Sequence, residues 1–536
     1  MERKQVINLK QMLEETVRRY GRKTAFIVRD RRVSYTEIDQ ASNKIANALI
    51  KAGINRGDRI AMLLPNGVEF INVYFGIIKA GATAIPLDAK YKAAELTSLF
   101  HNCLPRMIVA ESATVESLAP LFPGFKSVEM IMEVGGSSSG KSLSYEEIMA
   151  TGSAESTEIE PQPEDMAHIA YASGPTTRPT GVIASHRNLL KEAEIIAAGF
   201  QQTEKDVVML FALPLYHAFA LVGILMTSLY RGSTIVIVPG TGLSIGTLLE
   251  AIEREKGTLL FGVPYIFALL NRIAREEGVR NDLSSLRVCG SGGAPLSVNT
   301  VRQFKKYFGF NLIDFWGLTE AICIVTCPPL DRVKLGSVGK ALPGWEIKIV
   351  DENGNELLTN QPGEVIVRGP ITEGYYHNPQ ATAEKIKNSW LYTGDMGRVD
   401  KDGYLFLTGL KKRMIILKGK KIYPSDIEEV LSKYPKIAAA RVIGIPDRLR
   451  GEMVGAVILL KERVEATAQE IKRFCQEHMS DYKLPRQVIF TTQSSLANLS
   501  KIANIRLSQR KLKELLSSLS NLPSPLKYKK KPSKAQ

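Results

Sequence analysis

Phe315-Trp316-Gly317-Leu318-Thr319-Glu320 is the stretch that decides how this sequence is interpreted, together with a later run, Trp390-Leu391-Tyr392-Thr393-Gly394-Asp395. Each run ends in a carboxylate. The carboxylate of Glu320 offers oxygen ligands of the kind that hard cations bind, and Asp395 can accept hydrogen bonds through two oxygens. Either run alone is a weak signal. Their order in the chain, and the segments before and after them, give them weight.

A third segment, rich in glycine and small hydroxyl residues, lies upstream between an apolar strand and a helix: Tyr171-Ala172-Ser173-Gly174-Pro175-Thr176-Thr177-Arg178-Pro179-Thr180-Gly181-Val182. Backbone N–H groups and hydroxyls in such a loop can wrap phosphate groups closely. Glycine-containing or proline-containing turns also follow apolar strands at Gly262-Val263-Pro264-Tyr265 and Gly290-Ser291-Gly292-Gly293-Ala294-Pro295. In open α/β sheets, ligands bind at the carboxyl ends of the strands, so these turns are candidates for a ligand pocket.

The pattern along the rest of the chain predicts sheets covered by helices. Residues 9 to 52 are predicted to form a helix, a short hairpin and a second helix. Apolar strands and helices then alternate, as in Arg59–Leu64 and Val68–Lys79, and this alternation favours parallel sheets covered on both faces. Further on, turn signals at Asp351–Gly354 and Asp400–Gly403 predict hairpins between shorter strands.

In this order, these segments resemble the signature motifs of the adenylate-forming (AMP-binding) superfamily, and the chain is most similar to the fatty acyl-CoA synthetases, the long-chain fatty-acid–CoA ligases. The resemblance covers roughly residues 9 to 515. It implies an α/β fold with a large N-terminal adenylation domain, residues 1–412, made of two α/β subdomains plus a distorted β-barrel. A smaller, mobile α+β domain, residues 413–520, would follow. The basic tail, residues 521–536, is expected to be disordered.

The resemblance implies roles for the nucleotide-binding residues. Glu320 would hold Mg²⁺ on the phosphates, with Thr176 as a second residue at the metal, and Thr319 would hydrogen-bond the α-phosphate. Trp316 would flank the adenine, and Asp395 would bind both ribose hydroxyls. The other residues implied at ATP or AMP are Ser173, Gly174, Thr177, Gly181, Gly292, Gly293, Ala294, Phe315, Gly317 and Leu318.

Further motifs imply an acyl and CoA site. Leu213-Pro214-Leu215-Tyr216-His217-Ala218-Phe219-Ala220 is similar to a superfamily motif whose histidine or aromatic residue gates the carboxylate site, so His217 is implied as a catalytic residue. The other implied catalytic residues are Thr319, Glu320 and Lys501, and Lys501 would bridge the acyl carboxylate and the α-phosphate. The residues implied at the acyl group or CoA are Tyr216, Val263, Pro264, Gly419 and Lys420.

Several positions depart from the superfamily pattern. In the phosphate loop, Pro175 lacks a backbone donor, Thr177 replaces a glycine, and Thr180 replaces the lysine that contacts pyrophosphate oxygens. The other departures are Leu410 for an arginine, Arg413 at the hinge, Ser500 for a glycine and Asn504 for an arginine. Two alternatives therefore stay open: an ATP-dependent acid–thiol ligase, or a non-catalytic or attenuated relative that binds nucleotide or acyl-CoA as a scaffold or sensor.

The reaction implied by the resemblance joins a carboxylic acid to CoA. The carboxylate attacks the α-phosphorus of MgATP to give acyl-AMP and pyrophosphate, and the CoA thiol then displaces AMP after the C-terminal domain has rotated about the hinge. Mg²⁺ is the implied cofactor, and ATP and CoA are the cosubstrates. A fatty acid is the first expected substrate, and an aromatic or alicyclic acid is the second.

Composition sets bounds on the class of protein. A chain of 536 residues is too long for one compact core, and its formal net charge of +15 favours anionic partners such as nucleotides, CoA or an acidic membrane surface. Because no zinc-finger spacing or RNA-binding signature is present, we expect no nucleic-acid partner. Residues 1–4 lack the apolar core of a signal peptide, so we expect a cytoplasmic protein. The tail would either contact the inner face of an anionic membrane or only aid solubility.

Three further patterns are predicted to be structural. The five cysteines form no paired framework, and their apolar neighbours predict reduced, buried thiols. Gly135–Ser142 matches a Walker A pattern with Lys141 as its lysine, but Ser144-Tyr145-Glu146-Glu147 is a capping box that starts a separate short helix, so we expect a surface hairpin rather than a nucleotide site. The apolar stretch Val207–Tyr230 is expected to form a buried strand, turn and helix rather than a membrane span.

Overall fold

The computed structural model describes residues 6–136, 142–171, 179–238, 244–410, 414–447, 449–461 and 464–491. The chain divides into two compact units. The first comprises Met1–Lys411 together with Lys418–Lys421, and the second comprises Lys412–Leu417 and Ile422–Gln536. The basic tail predicted from residue 521 lies outside the described residues.

The first unit contains a seven-stranded N-terminal sheet. Every neighbouring pair is parallel except the last, which is antiparallel. The strands, in spatial order, are Ser142–Ser144, Met130–Val134, Met107–Glu111, Arg59–Leu63, Thr83–Pro86, Met166–Ala170 and Val182–Ser185. The alternation of strands and helices therefore predicted the parallel pairing correctly.

The surface hairpin expected at Gly135–Ser142 is wrong. The strands on either side of it, Met130–Val134 and Ser142–Ser144, are neighbours in the sheet but run parallel, with Met132 opposite Leu143. The predicted short helix does follow: Tyr145–Thr151 begins after Ser144, whose hydroxyl accepts a hydrogen bond from Glu147 N. Lys141 lies outside the described residues.

A second seven-stranded sheet, the central sheet, is parallel apart from the antiparallel hairpin at its edge. Its strands, in spatial order, are Leu312–Asp314, Val288–Ser291, Leu259–Gly262, Val207–Phe211, Thr234–Val238, Thr24–Val28 and Arg31–Ser34. Because parallel strands end at the same edge of a sheet, the segments that follow them meet there. Four of the predicted motifs begin directly or soon after strands of this sheet.

Helices cover the two sheets. Tyr35–Lys51 begins with a reciprocal cap in which the Ser34 hydroxyl accepts from Glu37 N and the Glu37 carboxylate accepts from Ser34 N. The α-helices of the first unit are Leu9–Tyr20, Tyr35–Lys51, Val68–Lys79, Ala93–Cys103, Ser112–Leu118, Tyr145–Thr151, His186–Gly199, Ala218–Ala220, Thr227–Arg231, Ile245–Glu255, Pro264–Glu276, Val298–Phe308 and Pro379–Lys385. A π-helix spans Leu221–Met226, and 3₁₀-helices span Ala119–Gly124 and Thr319–Ala321. The predicted buried strand, turn and helix between Val207 and Tyr230 is confirmed.

An antiparallel sheet completes the first unit in the region where turn signals predicted hairpins between shorter strands. Its strands Glu346–Val350, Gly363–Arg368 and Trp390–Val399 pair in that order, and Trp390–Val399 also pairs with Ile386–Lys387 and Leu405–Leu410. The predicted turn at Asp400–Gly403 joins two of these strands, and Gly403 N donates to Asp400 O. The short strands Thr326–Cys327 and Lys340–Ala341 form a separate pair.

The second unit has its own sheet and core. Its strands Ile415–Leu417, Gly451–Leu460 and Ile437–Asp447 are neighbours in that spatial order, and Gln487–Phe490 pairs with Gly451–Leu460 in parallel. The short strand Lys420–Ile422 begins in the segment Lys418–Lys421, which groups with the first unit. Helices Pro424–Ser432 and Ala468–His478 and the 3₁₀-helix Asp481–Lys483 accompany the sheet. Its core is apolar and includes buried Ile427, Leu431 and Ile471.

Two observations apply to both units. None of the helices among the described residues combines the length and the hydropathy that a membrane crossing requires. The cysteines are buried as predicted, and each is a free thiol: Cys103, Cys289, Cys323, Cys327 and Cys475.

Candidate active site

Glu320 lies in the 3₁₀-turn Thr319–Ala321, which follows the carboxyl end of the edge strand Leu312–Asp314 of the central sheet. Its side chain is only 8% exposed. The Tyr375 hydroxyl donates a hydrogen bond to Glu320 Oε1 over 2.8 Å, and Thr372 N donates to the Glu320 carbonyl over 2.8 Å. The segment around Tyr375 therefore fixes both the side chain and the backbone of Glu320.

The same segment pairs with the end of the predicted phosphate loop. Tyr376 N donates to Gly181 O over 2.7 Å, and Val182 and Tyr375 form an antiparallel bridge. A Cβ atom at Gly181 would lie 2.8 Å from the hydroxyl oxygen of Tyr171, so the backbone here has room only for glycine. Tyr375 thus connects the base of the loop to Glu320, 55 residues away in sequence.

Trp316 and Asp395, predicted at the adenine and the ribose, are neighbours in the structure. Trp316 Nε1 donates to Asp395 Oδ2 over 3.2 Å. Asp395 lies in the strand Trp390–Val399, and its own backbone N–H donates to Thr393 Oγ1. Burial raises the pKa of the Asp395 carboxyl above its ordinary value. An ordered two-oxygen acceptor is therefore present where the sequence predicted a ribose contact.

Phe315, Gly290 and Gly292 form the packed floor beside this pair. The ring of Phe315 is buried and makes edge-to-face contacts with the rings of Phe200 and Phe219. A Cβ atom at Gly292 would overlap the ring of Phe315, so the turn after strand Val288–Ser291 must be free of side chain at that position. Phe315 therefore lies in the aromatic core and shapes the turn, whereas Gly293 is exposed and Ala294 is partly exposed beyond it.

Tyr216 and Lys420 are brought together with Asp88, which the sequence analysis did not select. The Tyr216 hydroxyl donates to Asp88 Oδ2 over 2.5 Å, and Lys420 Nζ lies 3.0 Å from the same oxygen and 3.1 Å from the Tyr216 hydroxyl. Lys420 belongs to the short segment that groups with the first unit. The pKa of Asp88 is lowered, because the attraction of Lys420 and the Tyr216 hydrogen bond outweigh the opposing effect of burial.

His217 begins the short helix Ala218–Ala220, and its Nδ1 accepts a hydrogen bond from Phe219 N over 3.2 Å. Burial lowers the pKa of His217 to about 4, so the ring is neutral near pH 7. Val263 and Pro264 follow the strand Leu259–Gly262, where Pro264 is the first residue of a helix. A Cβ atom at Gly419 would contact Val263, so these predicted acyl and CoA residues also approach one another closely.

The family models match most of this architecture. The model of the AMP-binding enzyme matches residues 13–376, and that of the AMP-binding enzyme C-terminal domain matches residues 426–501. This chain belongs to the AMP-binding enzyme family. It is an adenylate-forming protein of the acyl- and aryl-CoA ligase superfamily, whose members use ATP and CoA.

Individual relatives are similar in sequence to this chain along nearly its whole length. The long-chain-fatty-acid–CoA ligase of Escherichia coli O157:H7 is 30% identical, with 92% of this chain and 93% of that protein covered. The 4-coumarate-CoA ligase 1 of Narcissus pseudonarcissus is 31% identical, with 89% and 88% covered. A solved double mutant of o-succinylbenzoate CoA synthetase from Bacillus subtilis, bound with a product analogue, has a TM-score of 0.80 at 26% identity, with 94% and 98% covered. The α/β fold class predicted from the sequence is confirmed.

Part of the site expected for an AMP-binding enzyme lies outside the described residues. These residues are Ser173, Gly174, Thr176 and Thr177 of the phosphate loop, Arg413 of the hinge, and Lys501 with its neighbours Ser500 and Asn504. Their roles stay predictions. Thr180 is described and is partly exposed, directly before Gly181.

Mg²⁺, which is typical of AMP-binding enzymes, fits the chemistry of Glu320. The Glu320 carboxylate is buried, and it forms no ion pair with any Lys, Arg or His among the described residues. A hard cation would take this oxygen together with phosphate oxygens and water. Within the described ranges, no group of three or more His, Cys, Asp or Glu side chains could hold a metal alone.

Sequence reasoning missed three residues that contact the candidate site or support it: Asp88, Glu192 and Tyr375. Tyr375 lies in the segment Gly374–Pro379, and nothing in its pattern indicates that the Tyr375 hydroxyl reaches Glu320. Asp88 comes two residues after the strand Thr83–Pro86, and its position at the carboxyl end of a parallel strand is a signal that could have found it.

Proposed function

We propose that this AMP-binding enzyme is an AMP-forming acid–thiol ligase that activates a fatty acid with MgATP and transfers the acyl group to CoA. The observation that carries this proposal is the hydrogen bond between Tyr375 and Glu320, because it links a buried carboxylate to the base of the phosphate loop. The neighbouring Trp316–Asp395 pair supports a nucleotide at the same place, since it offers an aromatic face and a two-oxygen acceptor side by side.

The first half-reaction requires a carboxylate oxygen to attack the α-phosphorus of ATP while the bond to pyrophosphate breaks. The carboxylate is a poor nucleophile toward an anionic phosphate, so orientation and charge stabilisation carry most of the catalysis. In this proposal, Asp395 orients the ribose, Trp316 flanks the adenine and Thr319 donates to the α-phosphate. Glu320 would hold Mg²⁺, which when bound neutralises phosphate charge. Lys501 would bridge the two reacting groups.

The second half-reaction replaces AMP by the thiol sulfur of CoA. We propose that the domain from residue 413 to 520 rotates about Arg413 between the two steps, since one site must serve two different acceptors. The neutral His217 ring and Tyr216 would then lie at the acyl carbonyl of the adenylate, and Gly419 and Lys420 would lie along the pantetheine arm. The +15 net charge of the chain favours binding of the CoA phosphates.

A fatty acid is proposed as the substrate because relatives named long-chain-fatty-acid–CoA ligase align over more than 90% of the chain. The 31% identity to a 4-coumarate-CoA ligase makes an aromatic acid the second candidate. The acid is therefore the part of the proposal that needs a direct assay.

Pyrophosphate release from MgATP tests the proposal, with a panel of straight-chain acids from acetate to stearate and a set of aromatic acids, each with and without CoA. We expect the fastest CoA-dependent turnover with a fatty acid. Fastest turnover with an aromatic acid would correct the substrate and leave the ligase reaction intact. Absence of pyrophosphate release with every acid, from protein that still binds ATP in calorimetry, would refute the ligase reaction.

A further inference from the structure

Glu192 is a fully buried acid that the reaction described above does not use. It lies in the helix His186–Gly199 and is 0% exposed. Its Oε1 accepts a hydrogen bond from Ile324 N over 2.7 Å, and its Oε2 accepts one from Trp345 Nε1 over 3.1 Å. Within the described parts of the chain, no basic side chain forms an ion pair with Glu192. Its two acceptors are therefore directed at one backbone amide and one indole.

The amide of Ile324 belongs to the loop that presents Thr319 and Glu320. This loop is closed at its ends, because Val325 N and Thr326 N both donate to Trp316 O, over 2.9 and 3.0 Å. Its two limbs approach each other so closely that a Cβ atom at Gly317 would overlap the carbonyl group of Cys323. Any displacement of Ile324 is therefore passed directly to the turn that carries Glu320.

The loop also contains a costly backbone conformation. Ile322 has φ 61° and ψ −47°, a γ-turn conformation at positive φ that is strained and that β-branched residues rarely adopt. Cys323 N donates to Ala321 O over 2.6 Å, which tightens the chain at the same point. Such a conformation persists only when the surroundings hold it. The Glu192 carboxyl group does so two residues later, because it accepts the hydrogen bond from Ile324 N.

Packing alone does not account for an acid at this position. A buried carboxyl without a cation is costly, and an apolar side chain of similar length would fill the same space without that cost. Burial raises the pKa of Glu192 to about 8, and the Ile324 and Trp345 hydrogen bonds oppose this shift. The neighbouring titratable group is the Cys323 thiol, whose pKa burial raises well above its ordinary value. The two donors are the feature that requires an acceptor here.

Trp345 extends the same support to the other side of the site. Its indole ring is buried and packs on the backbone at Gly369, where an added Cβ atom would lie 2.6 Å from the ring. The chain then runs to Thr372, whose N–H donates to the Glu320 carbonyl. Through Ile324 and Trp345, Glu192 therefore contacts both segments that hold Glu320.

We infer that Glu192 is a positioning residue for adenylate formation: it anchors the strained loop through the Ile324 amide and thereby sets the position of Thr319 and Glu320. The inference rests on the proposed function, since it gives Thr319 and Glu320 their roles toward MgATP. It concerns a residue that touches neither the nucleotide nor the acid.

Glu192→Met tests this inference, because methionine keeps the length and burial of the side chain and removes both acceptors. We expect kcat for pyrophosphate release to fall about tenfold to a hundredfold, the cost of small misplacements at a reacting centre, while KM for the acid stays unchanged. Glu192→Gln keeps an oxygen that can accept from Ile324 and should restore most of the rate. Asp39→Asn is the matched control, since it disturbs a buried ion pair with Lys79, away from the loop, and should lower the melting temperature without lowering kcat.

A second measurement does not depend on turnover. Calorimetry of ATP binding with and without Mg²⁺ should show that Glu192→Met loses most of the Mg²⁺-dependent gain in affinity, whereas Asp39→Asn keeps it. Unchanged kcat and an unchanged Mg²⁺-dependent gain in Glu192→Met would overturn the inference. If that variant does not fold, Glu192→Asp, whose carboxylate is one methylene shorter, is judged by the same two results. If the wild type releases no pyrophosphate, the proposed function fails, and the calorimetric comparison still decides the role of Glu192.

Discussion

Replacement of Tyr375 by phenylalanine should slow adenylate formation and leave the fold intact. The substitution removes one hydroxyl, whose hydrogen bond to Glu320 Oε1 is 2.8 Å long and buried. The ring stays in place, and the backbone bridge between Tyr375 and Val182 does not depend on the hydroxyl. A hydrogen bond to a charged group contributes about 1.5–3 kcal/mol, and each 1.36 kcal/mol changes a rate tenfold, so we expect kcat to fall about 10- to 100-fold.

Steady-state pyrophosphate release at saturating ATP and acid measures this effect. The adjacent tyrosine provides a matched control: Tyr376→Phe removes a hydroxyl from a ring that stacks on His377 at 4.0 Å between centroids, and it leaves Glu320 untouched. We expect the control to retain wild-type kcat, and both variants to melt within a few degrees of the wild type. A Tyr375→Phe enzyme as fast as the wild type would show that the hydroxyl does not position Glu320, and the reasoning about this contact would be wrong.

Three further predictions use other parts of the molecule. Thr180→Lys restores the cation of the superfamily pattern, so the adenylation rate should rise about tenfold or more; an unchanged rate would show that this position does not reach the phosphates. Gly292→Ala places a Cβ atom in the Phe315 ring and should lower the free energy of unfolding in urea by about 1–3 kcal/mol. The control Gly246→Ala meets only a serine hydroxyl at 3.8 Å and should leave that free energy unchanged or raise it. Equal unfolding midpoints for the two variants would contradict the close packing at Gly292. Because burial raises the pKa of Glu192 from 4.5 to about 8, the native state keeps a proton that the unfolded state has lost, so the free energy of unfolding should decline between those pH values. The decline should be smaller in Glu192→Gln, and identical pH profiles would contradict the raised pKa.

Local patterns were sufficient to predict the parallel sheets and the placement of several motifs. The helix Val68–Lys79 has the bounds expected from its apolar run, and the motifs at Val263 and Gly292 follow strands of one sheet as expected. Each of these features depends on residues close together in sequence. The spacing of apolar residues, every 2 residues in a strand or every 3.6 in a helix, and the turn residues between them determine the secondary structure. Because parallel strands end at the same edge of a sheet, the segments that follow them are then brought together without any further information.

The contacts that complete the candidate site are long-range, and sequence patterns do not encode them. Glu192 lies 132 residues from Ile324, and its position on a helix was compatible with an ordinary polar side chain. The strands Met130–Val134 and Ser142–Ser144 are joined by a short connection, which normally favours a hairpin, yet they pair in parallel. In both cases the packing of elements that are distant in sequence decides the contact and overrides the preference of the local sequence.

The described contacts also bear on whether the departures from the superfamily pattern have removed activity. Gly181 and Gly292 have a structural reason to persist, because a side chain at either position would clash, and their retention therefore does not separate an enzyme from an inactive relative. Glu320 differs. Its buried carboxylate forms no ion pair among the described residues and is held by the Tyr375 hydroxyl, whereas phenylalanine at Tyr375 with an apolar residue at Glu320 would fill the same space without burying a carboxyl group. A chain that had lost its chemistry would have no reason to keep both a buried carboxylate and the hydroxyl that orients it. The Tyr375–Glu320 pair therefore supports the proposed ligase reaction over an inactive relative.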